Sequence, residues 1–128
     1  MVLVAQLVGA LLGLLAVVFG AFGAHLLKKT FTEDQLNSFE TGVKYQMYHA
    51  LLLLMLSFNL NLETGLEKAI IYCIIIGIIL FSFSIYGLCI SASKGNKIKI
   101  LSPITPIGGL ILVMGWGLMF YNIVKNYI

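Results

Sequence analysis

Uncharged positions dominate this chain in four long runs, and the charged residues collect between them. Val2 to Leu27, Tyr45 to Leu62, Ala69 to Ser93 and Ile100 to Val124 contain no Asp, Glu, Lys or Arg. A hydrocarbon core of about 30 Å needs roughly 20 helical residues to cross, so each run reads as a membrane span. The pattern predicts an all-α integral membrane bundle of four transmembrane helices in one domain over 1–128, with spans over 2–26, 45–62, 69–92 and 102–124. The second run is the shortest and carries Ser57 and Asn59, which makes it the weakest membrane segment of the four.

The first connection has a pattern of its own. Thr32 is followed three residues later by Gln35, the spacing of a capping box, and Phe31 and Leu36 are placed to form a hydrophobic staple around it. Glu33 and Asp34 would sit in the first turn, where acidic groups complement the helix dipole. Leu36, Phe39, Val43 and Met47 recur at helical spacing, while Asn37, Ser38, Glu40 and Lys44 fall between them. This predicts a short amphipathic helix over 32–44, lying at the membrane interface between the first and second spans, with Gly42 as the hinge into the second.

Small residues recur along the spans at intervals of three and four. Ala5, Gly9, Gly13, Ala16, Gly20 and Gly23 line one face of the first helix, and Ala69, Cys73, Gly77, Ser84, Gly87 and Ser91 form a similar stripe on the third. Gly108, Gly109, Gly115 and Gly117 thin the fourth. Membrane helices pack through such seams because burial from water is not available to drive them together. Gly9, Gly13, Gly20, Gly23, Gly77, Gly108 and Gly109 are therefore expected to serve helix packing, either within one chain or between copies.

Composition fits this reading: 60% of the residues are hydrophobic and 10% charged, too apolar for a water-soluble domain of 128 residues. All eight basic residues are Lys. Lys28, Lys29 and Lys44 flank the first connection and Lys94, Lys97 and Lys99 the third, against Lys68 in the second and Lys125 near the end. Basic residues favour the cytoplasmic side of short loops, so both termini are expected on the non-cytoplasmic side of a cell (inner or plasma) membrane. Ala21 and Gly23 before Ala24 resemble a signal-peptidase site, but the segment has no basic leader and too long an apolar run, so it reads as a retained helix. Cys73 and Cys89 lie sixteen residues apart on one helix, about 24 Å of rise at 1.5 Å per residue, and cannot pair within a chain.

Polar groups are costly in lipid and usually face a protein interior. With four crossings, His25 at the end of the first span, Tyr45, Gln46 and His49 at the start of the second, Ser82, Ser84 and Tyr86 late in the third, and Thr105 early in the fourth all fall in the cytoplasmic half of the membrane. These eight residues form the candidate polar pocket. In the plainer reading His25 and His49 clasp the first hairpin. In the functional reading the pocket holds a small ligand or a lipid headgroup. A bis-histidine haem or copper site is disfavoured, since this half of the membrane offers no carboxylate to support the ligands.

Missing groups narrow the chemistry further. With no ionisable carboxylate in any span, proton-coupled transport has nothing to run on. Four-helix multidrug exporters are of similar size but depend on a buried acidic residue that this sequence lacks. No phosphate loop, metalloprotease motif or serine nucleophile elbow is present, and pairing Ser82 or Ser84 with His49 leaves the histidine without an orienting carboxylate. No catalytic residue, metal or other cofactor, and no nucleic-acid partner, is expected.

Four blocks carry a family resemblance: GAFGAH at Gly20 to His25, YQMYHAL from Tyr45 to Leu51, FSFSIY from Phe81 to Tyr86, and ITPIGG from Ile104 to Gly109. Together they resemble the domain-of-unknown-function 423 family, which includes the transmembrane-protein-256-like proteins. Phe83 stands where the third block would carry a small residue. The resemblance implies a four-helix inner or plasma membrane protein and supplies no activity, substrate or cofactor. It places family blocks on His25, Tyr45, Gln46, His49, Ser82, Ser84, Tyr86, Thr105, Pro106 and Gly108.

The sequence is best read as a non-enzymatic accessory or scaffold protein, embedded in the lipid bilayer and packing against itself or a larger membrane complex. The alternative is a binding or permeation module for a small neutral molecule or lipid. The orientation is testable: a cysteine introduced by Lys97→Cys should be labelled by an impermeant maleimide only after the cytoplasmic face is opened. Labelling in intact cells would reverse the topology.

Overall fold

The computed structural model describes residues 1–128, the side chain of Ala24 excepted. The regular structure among the described residues is all helical, without strands. There are four long helices: α1 (Val2–Leu27), α2 (Glu33–Asn59), α3 (Gly65–Ser93) and α4 (Ile104–Tyr127). A 3-10 turn at Lys99–Leu101 leads into α4. Two helices carry a π-helical turn, Phe19–Gly23 in α1 and Ile79–Phe83 in α3. Three of the four, Val2–Leu27, Gly65–Ser93 and α4 with its leading turn as Lys99–Tyr127, are long and apolar enough to cross a membrane.

The capping box forms at the start of α2. The Gln35 backbone N–H donates to Thr32 Oγ1 at 3.2 Å, and the Thr32 N–H donates to Gln35 Oε1 at 2.9 Å. Phe31 is buried beside Phe39, with ring centroids 6.1 Å apart, and Leu36 packs on the same cluster. A second box, with the same spacing in the sequence, starts α3: the Glu67 N–H donates to Thr64 Oγ1 at 3.2 Å and Glu67 Oε2 accepts from the Thr64 N–H at 3.3 Å. Each box satisfies donors that a helix start leaves open.

From Thr32 onward the structure departs from the expected hinge. The segment expected to lie at the interface over 32–44 and the run expected to be the second span are one unbroken helix, which continues through Gly42. Gly42 is needed for close approach instead. A Cβ there would stand 2.8 Å from Tyr86 Cε1, and the Gly42 carbonyl accepts the Ser82 hydroxyl at 2.7 Å. The fourth span likewise begins at Ile104, with 102 and 103 in the turn before it.

Consecutive helices run antiparallel. The heaviest packing is α1 on α2 and α3 on α4, and the two pairs meet along α2 and α3. An aliphatic core built around Leu53, Ile70, Ile74 and Ile78 fills one end, and an aromatic core of Phe31, Phe39 and Tyr86, with Ile85 and Cys89, fills the other. Leu3, Leu7, Leu11, Leu14, Val18 and Phe22 run down the outer face of α1 at helical spacing, all exposed. So long an apolar stripe would be a liability in water and suits contact with lipid tails.

The glycine faces meet partners inside this chain. A Cβ on Gly9 would come within 3.1 Å of the Ala50 carbonyl oxygen, and one on Gly77 within 2.8 Å of Leu112. On Gly108 it would collide with the backbone of Phe81. Gly20 and Gly23 stand against Val43 and Phe39 at 3.2 and 3.4 Å, whereas Gly13 and Gly109 make ordinary contacts at 3.9 and 3.7 Å. Thus α1 uses its seam on α2, and α3 and α4 use theirs on each other. Gly108→Val should cost about 1–3 kcal/mol through overpacking against backbone that cannot yield, read as a lower melting midpoint in detergent. Gly117→Ala, with open space around the new methyl and better helix propensity, should not lower it.

Candidate functional site

The eight residues of the candidate polar pocket are held by α1, α2, α3 and α4, and the helices bring most of them to neighbouring levels of the bundle. Gln46 is at its centre, fully buried. Its Nε2–H donates to the Leu12 carbonyl of α1 at 2.8 Å, and its Oε1 accepts the Tyr86 hydroxyl of α3 at 2.6 Å. Ser82, also fully buried, ties α3 to the Gly42 carbonyl of α2. Ser84 donates to the Phe81 carbonyl at 2.9 Å and shares a 2.6 Å hydrogen bond with Thr105, joining α3 to the first turn of α4.

His49 closes the remaining contact. Trp116 Nε1–H donates to His49 Nε2 at 3.1 Å, and His49 Nδ1 lies 2.7 Å from the Tyr45 carbonyl. Indole N–H is a donor only, so Nε2 accepts and Nδ1 carries the proton. The geometry thus assigns a neutral ring in a single tautomer. Tyr45 is half exposed, stacked on His49 with centroids 6.3 Å apart and 5.0 Å from the ring of Phe81.

One expectation is corrected here. His25 and His49 do not clasp the first hairpin: His25 is exposed on α1 and takes part in no hydrogen bond among the described residues, while both ring nitrogens of His49 are engaged elsewhere. The π-helical turn at Phe19–Gly23 lies just before His25, and its extra residue re-aims every position after it. Trp116, in the middle of the fourth uncharged run, is the α4 partner of His49. The sequence did carry a signal, a lone indole donor in the middle of a span, where an unpaired N–H is costly.

These polar residues form a closed seam. Among the described residues, no buried side-chain nitrogen or oxygen lacks a partner, so the seam binds helix to helix and leaves little for a ligand to take. The opening lies beside it. A cleft of about 580 Å³ separates the start of α2, the second half of α3 and the start of α4, within the range of about 300–1,000 Å³ usual for ligand sites. Its α2 wall presents Asp34, Ser38 and Thr41, its α3 wall Phe81, Ile85, Leu88 and Ala92, and Lys97, Ser102, Thr105 and Pro106 complete it.

Of the eight pocket residues, only Thr105 reaches this cleft. The polar wall of the cleft escapes sequence reasoning for a simple reason. Asp34, Ser38 and Thr41 recur at intervals of four and three, a helical stripe opposite the apolar face of the same segment, and such a stripe ordinarily faces water. Gln35 and Cys89 also line the cleft, with the Cys89 thiol 3.5 Å from the Gln35 carbonyl.

Comparison with known proteins agrees with the architecture. The family model "Protein of unknown function (DUF423)" matches residues 19–109. The chain belongs to this family. Its relatives include a UPF0382 membrane protein of Schizosaccharomyces pombe, 40% identical over 88% of this chain and 94% of its own length. The UPF0382 membrane protein YwdK of Bacillus subtilis is 37% identical over 93% and 94%, and one from Haemophilus influenzae 33% identical over 91% and 90%. No solved structure matches the chain. The family is thus one of uncharacterised membrane proteins, in agreement with the resemblance of the four sequence blocks, and the model match spans all of them.

The seam makes a double-mutant prediction. Tyr86→Phe should destabilise the bundle by about 1–2 kcal/mol, by leaving Gln46 Oε1 without its donor. In a Gln46→Leu background the same change should cost far less. Thermal unfolding of the four proteins in one detergent measures the coupling, and additive losses would show that the two side chains do not act together.

Proposed function

We propose that this chain is a non-enzymatic four-span membrane protein that takes up a lipid sideways in the cleft between α2, α3 and α4. The observation that carries the reading is the pairing, in one open cleft, of a polar wall on α2 with an apolar wall on α3. An amphiphile entering from the bilayer meets both.

In this reading α2 is the fourth span. Its uncharged helical part, Tyr45 to Asn59, is fifteen residues, about 22 Å at 1.5 Å per residue. The non-helical stretch from Leu60 to Leu62, the latter buried, supplies the remaining reach. The first three turns of α2, with Glu33, Asp34, Glu40 and Lys44, then rest at the membrane surface. The bias of Lys toward the first and third connections supports a cleft at the cytoplasmic face of a cell membrane with both termini on the far side.

The scaffold reading loses its main motive. It rested on small-residue seams available to partners, and those of Gly9, Gly77 and Gly108 are closed against Ala50, Leu112 and Phe81 of the same chain. The lipid reading uses a surface that these contacts leave open.

Native mass spectrometry of the full chain, extracted in mild detergent, tests it. The wild-type protein should retain a lipid adduct. Ser38→Trp, a change at an exposed residue of the cleft wall, should remove the adduct while leaving the melting midpoint in place. A wild-type protein that retains no lipid, or a variant that retains it fully, would sink the proposal.

A further inference from the structure

The two charges in the cleft go beyond a general amphiphile. Asp34 comes from the first turn of α2 and Lys97 from the connection between α3 and α4, so opposite charges approach one opening from separate elements. No ion pair joins them among the described residues. Ser38 lies one turn along α2 from Asp34, and Ser102 lies in the turn before α4, in the same connection as Lys97.

We propose that the cleft selects a phospholipid whose headgroup joins a phosphate to a primary ammonium, the phosphoethanolamine headgroup. This rests on the lipid-binding reading above. Lys97 and the Ser102 hydroxyl supply donors for the phosphate, at the start of α4 where the helix dipole also favours an anion. Asp34 and the Ser38 hydroxyl supply acceptors for the ammonium, which carries three N–H donors.

Other headgroups satisfy only part of this arrangement. A purely anionic headgroup pairs with Lys97 but sets a second negative charge beside Asp34. A choline headgroup has the right charges, but its quaternary nitrogen has no N–H to give Asp34 or Ser38. The apolar wall of Phe81, Ile85, Leu88 and Ala92 on α3 gives an acyl chain a surface to lie on beside these polar groups.

Full-length protein in detergent, offered phosphatidylethanolamine, phosphatidylcholine and phosphatidylglycerol with the same dioleoyl chains, decides the matter by native mass spectrometry. Phosphatidylethanolamine should be retained about tenfold over either competitor, equivalent to about one charge-assisted hydrogen bond. Asp34→Asn should lower its retention to the phosphatidylcholine level, and Lys97→Gln should weaken phosphatidylethanolamine and phosphatidylglycerol together. Glu33→Gln removes a neighbouring charge from the same helix turn, but Glu33 lies outside the cleft, so the preference should survive. Equal retention of the three lipids, all displaced by Ser38→Trp, would overturn the headgroup assignment and leave the cleft as a lipid site. Retention of none would overturn both. Should Asp34→Asn not fold, the wild-type preference and the response to Lys97→Gln still separate these outcomes.

Discussion

Gln46 is the residue around which the bundle is arranged. In lipid, apolar side chains gain nothing by leaving the solvent, so helices associate through close packing and through polar groups that find no other partner. A fully buried amide has one acceptor and two donors to place, and here it reaches a backbone carbonyl on α1 and a phenol on α3. The same residue thereby fixes the register of α1 on α2 and of α2 on α3. Gly42, one turn before it, lets Tyr86 come near enough to make the bond. On the far side of α3, Gly77 and Gly108 bring α4 in to contact distance, and Ser84 with Thr105 repeats the device at smaller scale.

The cleft follows from that arrangement. Contact between α2 and α3 is concentrated at the aromatic core and the polar seam, and the start of α4 is tied to α3, by Ser84 and Thr105, rather than to α2. Three elements held by short polar ties leave an opening at the end where the connections are longest. Because the ties use up the donors and acceptors of Gln46, Ser82 and His49, the chemistry left to the opening is that of its rim, from Asp34, Ser38, Lys97 and Ser102.

Much of the helical architecture was legible in the sequence because membrane helices announce themselves by length and the absence of charge. The start of α2 was legible from Thr32 and Gln35, and Thr64 with Glu67 carries the same signature. The polar residues were recognisable as a set, since Gln46, His49, Ser82, Ser84 and Tyr86 are too costly in lipid unless paired. Their partners were not. A carbonyl such as that of Leu12 or Gly42 has no sequence signature, and which face of α4 carries Trp116 depends on rotations about the helix axis that periodicity leaves free. The cleft was hidden for the opposite reason: its polar wall looks like any solvated helix face until a neighbouring helix is placed across it.

The π-helical turn at Ile79–Phe83 has a consequence for how this chain tolerates change in length. Each such turn holds one residue more than the regular helix around it, and this one stands between Ile78, in the aliphatic core, and Ser84, in the polar seam. Removing a single residue there would let α3 relax to an ordinary α-helix and turn everything beyond it by about 100°. Ser84, Tyr86 and Cys89 would swing away from Thr105, Gln46 and Gln35 together, while the core below kept its contacts. The extra residue therefore acts as a vernier between the two halves of the molecule, and insertions or deletions that spare every side chain in the seam would still be able to take it apart.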